Sequence, residues 1–291
     1  MRQIGAPFQP IASANCPQER PMRLINRIPS RPLAVALAVL PFVLALIAYS
    51  IASDLRLSVN PQDKLLPAIS MISETALRVF TEPDRRTGDI LLWLDTGASL
   101  MRLALGVGIA AAISLVLGML IGLLPLIRSC LSGFVAVLSM IPPLAVLPIL
   151  FIVFGLGEVS KVVLIVIGIT PFMTRDLSQR VLEIPTEQLI KAQTIGASSL
   201  VIALRVALPQ ILPRLLSNVR LSLGSAWLFL IAAEAVASDV GLGYRIFLVR
   251  RYLAMDIILT YVIWITLLAF LIDWSLKTVS RKSFPWMEAG L

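Results

Sequence analysis

The stretch Ile190-Lys-Ala-Gln-Thr-Ile-Gly196, closing on Val206-Ala-Leu-Pro209, decides how this chain is read. It is the longest hydrophilic-to-amphipathic interruption in the second half of an otherwise apolar sequence. Leu189, Ala192, Ile195 and Gly196 share helical spacing, with Glu187, Lys191 and Thr194 turned elsewhere. Gly196 suits the end of that helix, because glycine tolerates the left-handed backbone that a helix stop uses. A second short helix is expected to follow and to end before Pro209. The pattern predicts helix, turn, helix in a loop between two membrane spans, a shape suited to docking on a soluble partner. Leu189, Ala192 and Ile195 are expected to be covered by that partner.

The surrounding composition sets the class. The chain is 58% hydrophobic and 14% charged, outside the range of soluble domains, which argues for a polytopic membrane protein. The net charge of +8 is then no nucleic-acid signal; excess Lys and Arg reports the cytoplasmic face. The two cysteines, Cys16 and Cys130, have no metal or redox spacing and read as free thiols. There is no histidine, which removes Ser-His and Cys-His catalysis, His-containing metal sites and an imidazole relay. No G-x-x-x-x-G-K-[ST] occurs, so the chain is not expected to hydrolyse ATP itself. No enzyme, cofactor or metal centre is expected.

Hydropathy divides the chain into five segments. Residues 1–32 are Pro-rich with Arg20, Arg23, Arg27 and Arg31, and read as a disordered cytoplasmic tail. Residues 33–51 form a first transmembrane helix, in which Pro41 is tolerable. Residues 52–96 form an external connection with an amphipathic helix, where Glu74 and Arg78 sit at supporting spacing. Residues 97–276 hold further spans near Ala98–Leu124, Leu131–Phe154, Val159–Met173, Leu215–Ala237 and Ile257–Leu276. Residues 277–291, with Lys277, Arg281 and Lys282, form a cytoplasmic tail. The fold is expected to be all-α, with about six spans and both termini cytoplasmic. Arg102 and Arg220 fall inside spans near their ends, where long side chains snorkel.

Three features stand out within the spans. Gly106, Ala110, Ser114, Gly118 and Gly122 make a small-residue stripe for close helix packing. Pro142, Pro143 and Pro148 interrupt the third span, either as a packing kink or as a pore-lining element that bends between states. Glu234 is an ionisable group inside a span, by default a functional hypothesis. Its bland reading is a structural carboxylate satisfied by a neighbouring helix, or by Arg220 or Arg245.

The loop residues also resemble the cytoplasmic EAA loop of ABC importer permeases, whose pattern is E-A-A, three residues, G, nine residues, I-x-L-P. Here Gly196 holds the glycine, Ala192 the second alanine, and Val206, Leu208 and Pro209 the close; Ile190 stands at the glutamate and Lys191 at the first alanine. Thr96-Gly-Ala-Ser-Leu-Met-Arg102, Ser139-Met-Ile-Pro-Pro-Leu-Ala, the run from Ala226 to Glu234 and Gly241-Leu-Gly243 are similar to the nitrate/sulfonate/taurine group of these permeases. The resemblance covers roughly Thr96 to Leu276. It implies a type I permease in a bacterial inner membrane, working by alternating access. The implied partners are an ABC ATPase subunit dimer, an external substrate-binding protein, a second permease copy in a homodimer, and membrane lipid, with no nucleic acid. Leu189, Lys191, Ala192, Ile195, Gly196, Val206, Leu208 and Pro209 would form the ATPase-coupling loop. Pro142, Pro143, Pro148 and Glu234 would serve the translocation path or gating. The group carries mostly anions, which a carboxylate repels, so packing or gating suits Glu234 better than substrate contact. Asn60-Pro-Gln-Asp-Lys-Leu-Leu-Pro67 and the proline-rich third span also look like permeases associated with urea- or guanidine-type nitrogen compounds. The competing class, an ion-coupled secondary transporter or channel, needs several intramembrane carboxylates or broken helices in repeated halves. The sequence offers Glu234 and Asp273, and no repeat.

Overall fold

A computed structural model describes residues 29–60, 63–84 and 88–286. Cys16 and nearly all of the expected tail 1–32 lie outside the described residues. The chain divides into two units, Met1–Ile51 and Ala52–Leu291. The first holds most of α1 (Arg31–Val59), which is apolar all round, with Leu33, Phe42 and Leu46 exposed, as a lipid-facing helix should be.

The second unit is built of helices throughout its described residues. They are α2 (Ile69–Thr81), α3 (Leu91–Leu123), α4 (Pro125–Leu138), α5 (Pro143–Phe154), α6 (Glu158–Leu182), α7 (Thr186–Thr194), α8 (Ser199–Ile202), α9 (Leu208–Ala237), α10 (Leu242–Arg250) and α11 (Met255–Ser283). A π-helical turn, Ala203–Ala207, joins α8 to α9. Among the described residues, four runs are long and apolar enough to cross a membrane: α1, α3, Ser199–Ala237 and α11. The pair α4 and α5 would make a fifth. The chain is thus an all-α, polytopic membrane protein. Of the about six expected spans, the fourth corresponds to α6, which carries Glu158, Lys161, Arg175, Asp176 and Arg180 towards its ends.

The small-residue stripe explains the centre of the bundle. Gly106 faces Ile165, Gly118 faces Leu177 and Gly122 faces Val181, so α3 and α6 run parallel in close contact. A Cβ at any of these glycines would overlap the α6 side chain opposite. The Ser114 hydroxyl donates to the Thr170 carbonyl on the same seam. α9 returns antiparallel: Asn218 donates to the Met173 carbonyl, and Phe229 covers Gly168. The main core is filled by Leu92, Leu103, Ile165, Met173, Trp227, Leu230 and Tyr261. A second cluster, Leu177, Val181, Ile184, Ala207 and Ile211, closes the end from which the 183–207 loop departs. The starts of α3, α6 and α10 and the end of α9 gather at the opposite end.

Two expectations about continuity are corrected. The third span is not one helix, because α4 and α5 meet at 94°. Pro142 and Pro143 lack the N–H groups that would carry the ladder through, so it stops at Leu138 and restarts at Pro143. The second loop helix does not end before Pro209. It runs through the π turn into α9, giving one helical run from Ser199 to Ala237. The Leu208 N–H reaches back five residues to the Ala203 carbonyl. That wider turn gives the Pro209 ring room where it has no N–H for the Arg205 carbonyl.

Candidate functional site

The first half of the 183–207 loop, a short helix stopped at Gly196, has the shape its sequence foretells. α7 stops at Thr194, and Gly196 sits at φ +89°, where only glycine is comfortable. The Gly196 N–H bonds the Gln193 carbonyl and the Ala197 N–H bonds the Ala192 carbonyl, closing the helix end. The expected apolar face is partly corrected. Leu189 packs on the second core cluster and Ala192 is half-buried, so the chain itself covers both. Ile195 is 86% exposed, beside Ile190 at 55% and Leu200 at 69%. These three, with Val201 and Leu204, are the exposed large apolar side chains of the loop, and Lys191 is exposed among them. Val206 and Leu208 are half-buried, and Pro209 is exposed at the base of α9.

At the other end a polar cluster ties four helices together. Glu234 has no exposed surface. It accepts from Ser99 Oγ at 2.8 and 3.0 Å, from Arg102 Nη1 at 2.7 Å and from the Gly243 N–H at 2.8 Å. The partner is therefore Arg102, not Arg220 or Arg245. Arg220 pairs with Asp273 on α11 at 2.8 and 2.9 Å, and Arg245 pairs with Asp95 at 2.8 Å. Arg102 does not snorkel. It is 6% exposed and also binds Glu158 and the Val240 carbonyl. Lys161, 3% exposed, bridges Glu158 and Ser238.

Gly241 and Gly243 are glycines because backbone must reach the carboxylates. The Gly241 N–H donates to Asp95 at 2.9 Å, and a Cβ there would lie 2.6 Å from the Glu234 carboxyl carbon. Asp95, Glu158 and Glu234 are balanced by Arg102, Lys161 and Arg245. Each charge is matched, so the cluster fastens helices. Asp95 is the residue that sequence reasoning missed, having been assigned to the connection before the core. Its signal was there: Asp95, Ser99 and Arg102 fall at i, i+4 and i+7, on the face that continues as the small-residue stripe.

The proline break is a third place of interest. Pro142 caps α5 and Pro143 opens it, while Pro148 lies exposed inside it. Pro143, Ser139 and Ile141 line a cavity of about 120 Å³ with Gly168, Ser222 and Phe229. Glu234 does not line it. The structure therefore separates the four residues expected on the path: Pro142 and Pro143 at the break, Pro148 outward, Glu234 in the far cluster.

Residues 90–284 match the sequence profile of the family described as the binding-protein-dependent transport system inner membrane component. The chain belongs to this family. The permease is 34% identical over 198 residues to the taurine transport system permease protein of Escherichia coli (strain K12), covering 68% of this chain and 72% of that one. It is 33% identical over 213 residues to the bicarbonate transport system permease protein of Synechococcus elongatus, covering 68% and 75%. Among solved structures, the inward-facing MetNI methionine ABC transporter shares the fold, with a TM-score of 0.59 at 23% identity, over 66% of the permease and 95% of that chain.

Proposed function

We propose that this permease is the membrane subunit of an ATP-driven importer of small oxyanions of the sulfonate or bicarbonate kind. It works by alternating access, as a homodimer in a bacterial inner membrane with both termini cytoplasmic. ATP hydrolysis belongs to a separate ABC ATPase dimer, and an external binding protein delivers the solute. The solute class rests on the relatives, named for taurine and bicarbonate transport.

One observation carries the coupling reading. The 183–207 loop presents Ile190, Ile195 and Leu200 to solvent on a helix whose stop is fixed by Gly196. Exposed apolar side chains on a loop built of short helices call for a partner. The loop is joined to α6 on one side and to α9 on the other, so motion at the partner reaches two core helices. Leu189, Ala192, Val206 and Leu208 anchor the loop to its own bundle, and Ile195 and Leu200 meet the ATPase.

Ile195→Asp and Leu200→Asp test the reading. Both should leave the permease inserted and at normal abundance, while the ATPase no longer co-purifies and ATP-driven uptake is lost. Unchanged ATPase association and uptake would mean that this surface lies on lipid instead. ATP-independent uptake by the lone chain in liposomes would favour the ion-coupled class.

A further inference from the structure

The cavity at the proline break holds a set of polar groups that the rest of the fold leaves unused. Ser222 on α9 is 3% exposed and lines the cavity, and its hydroxyl has no hydrogen-bond partner among the described residues. A buried hydroxyl without a partner is costly, and satisfied groups are the rule. Ser225, one turn further on, lines the same space and is exposed at its mouth. The volume of about 120 Å³ is well above the ~10–15 Å³ that one water needs.

The break gives the cavity a sign. Two helix ends meet there, and they are not equivalent. The last carbonyls of α4 are all occupied. Val135 accepts from the Ser139 N–H, Ala136 from the Ser139 hydroxyl, Val137 from the Met140 N–H and Leu138 from the Ile141 N–H. The negative end of α4 is thus capped. The start of α5 has no side-chain cap, and its cap position is Pro142, which has no side-chain oxygen to offer. Pro143 has no N–H and the Ala145 N–H turns back to the Pro142 carbonyl, so what this twelve-residue helix brings to the cavity wall is the positive end of its dipole rather than a row of free donors. Among the described residues, no Asp, Glu, Lys or Arg lines the space. On the same wall Pro171 leaves the Ile167 carbonyl without its helical donor, an acceptor for a hydroxyl or ammonium hydrogen at a solute's other end.

The geometry points to this cavity as a low-affinity seat for the anionic end of a small solute, a sulfonate or carboxylate, with Ser222 as the side chain that reads it. The inference rests on the importer reading above and names the seat within it. The solute's oxygens take the Ser222 and Ser225 hydroxyls, with the positive end of the α5 dipole beside them. Its carbon atoms lie against Phe172 and Phe229. A dipole and hydroxyls hold an anion loosely, where a buried Arg or Lys would trap it, and a path needs sites that solutes leave.

The test uses the full chain in nanodiscs, with Cys16→Ser and Cys130→Ser and a new thiol at Ser222→Cys. Its modification rate is measured with a sulfonatoethyl and with a trimethylammonioethyl methanethiosulfonate. Each rate is divided by that reagent's rate at exposed Cys130 in the Cys16→Ser chain, which removes intrinsic differences. The sulfonate reagent should be favoured about tenfold, as expected of opposite charges at a helix end. Ethanesulfonate should slow it and choline should not. Ser225→Cys, at the mouth, should show the same preference and guards against misfolding of the buried variant. Equal rates, a preference for the cation, or no reaction at Ser222→Cys overturns the seat. The importer reading stands or falls separately, on ATPase association of the parental chain. A lost charge preference with intact ATP-driven uptake sinks the seat alone.

Discussion

A carboxylate with no exposed surface persists in an apolar helix only when its oxygens are held, and Glu234 is held by three donors. Glu234→Leu strips Ser99, Arg102 and the Gly243 N–H of their acceptor at once and should cost about 3–5 kcal/mol, the usual penalty for breaking a buried pair. Glu234→Gln keeps the volume and one acceptor oxygen and should cost less, about 1–3 kcal/mol. Thermal unfolding of the purified chain in detergent should rank parent, Gln, Leu in falling Tm. Equal Tm values would mean that the cluster does not stabilise this end. Glu158 differs, because it is the first residue of α6, outside the apolar stretch that begins at Val159, with a largely exposed side chain. The Arg102 hydrogen bond, against a smaller opposing effect of burial and aided by Lys161, holds its carboxyl down at about 2 rather than 4.5. The folded value is below the unfolded one, so Glu158 stabilises the fold above about 4.5, and this is lost as pH falls towards 2. Glu158→Gln should therefore trail the parent by a constant margin from neutral pH down to about 5 and converge with it below that. A margin unchanged at acid pH would exclude the ion pair as its cause.

Between elements, the parallel seam of α3 on α6 rests on three glycines. Gly122→Ala drives a Cβ into Val181 and should cost about 1–3 kcal/mol as overpacking. Gly108→Ala, on the same helix with nothing within reach of its Cβ, should gain up to about 1 kcal/mol from helix propensity. Comparing the two by detergent Tm separates seam packing from propensity, and equal shifts would remove the seam from the account. This seam was legible from the spacing of Gly106 to Gly122, since a stripe with period four can only be one helix face. The loop stop at Gly196 was legible for a similar local reason. The break between α4 and α5 was half legible. Three prolines announced an interruption, but whether a proline kinks a helix or ends it depends on neighbours that no spacing reports. Pro209 misled for the same reason. It reads as a stop, and a π turn carries the helix past it.

For the chain as a whole, composition alone reveals the membrane class, because an apolar excess of this size suits no soluble core. The charged cluster was not legible. Arg102 and Glu234 are 132 residues apart, and Asp95 and Arg245 are 150 apart. Periodicity reports faces, not which faces meet. Pro209→Ala restores an N–H for the Arg205 carbonyl and should let the π turn relax to ordinary α geometry. If the loop drives transport, this variant should keep ATPase association and stability yet lower the solute moved per ATP hydrolysed in vesicles. An unchanged ratio would leave the π turn without a part in transport. The run from Ser199 to Ala237 is 39 residues, about 58 Å at 1.5 Å per residue, against a hydrocarbon layer of about 30 Å. One end carries the loop and the other is pinned through Glu234 to α3 and α10. A rod clamped at its far end is hard to slide, but it can be rewound where its ladder is widest. Absorbing or releasing one residue in the π turn turns the loop by about 100° about the rod's own axis. If the loop couples to an ATPase, torsion rather than sliding is the motion this helix passes between the loop and the charged cluster.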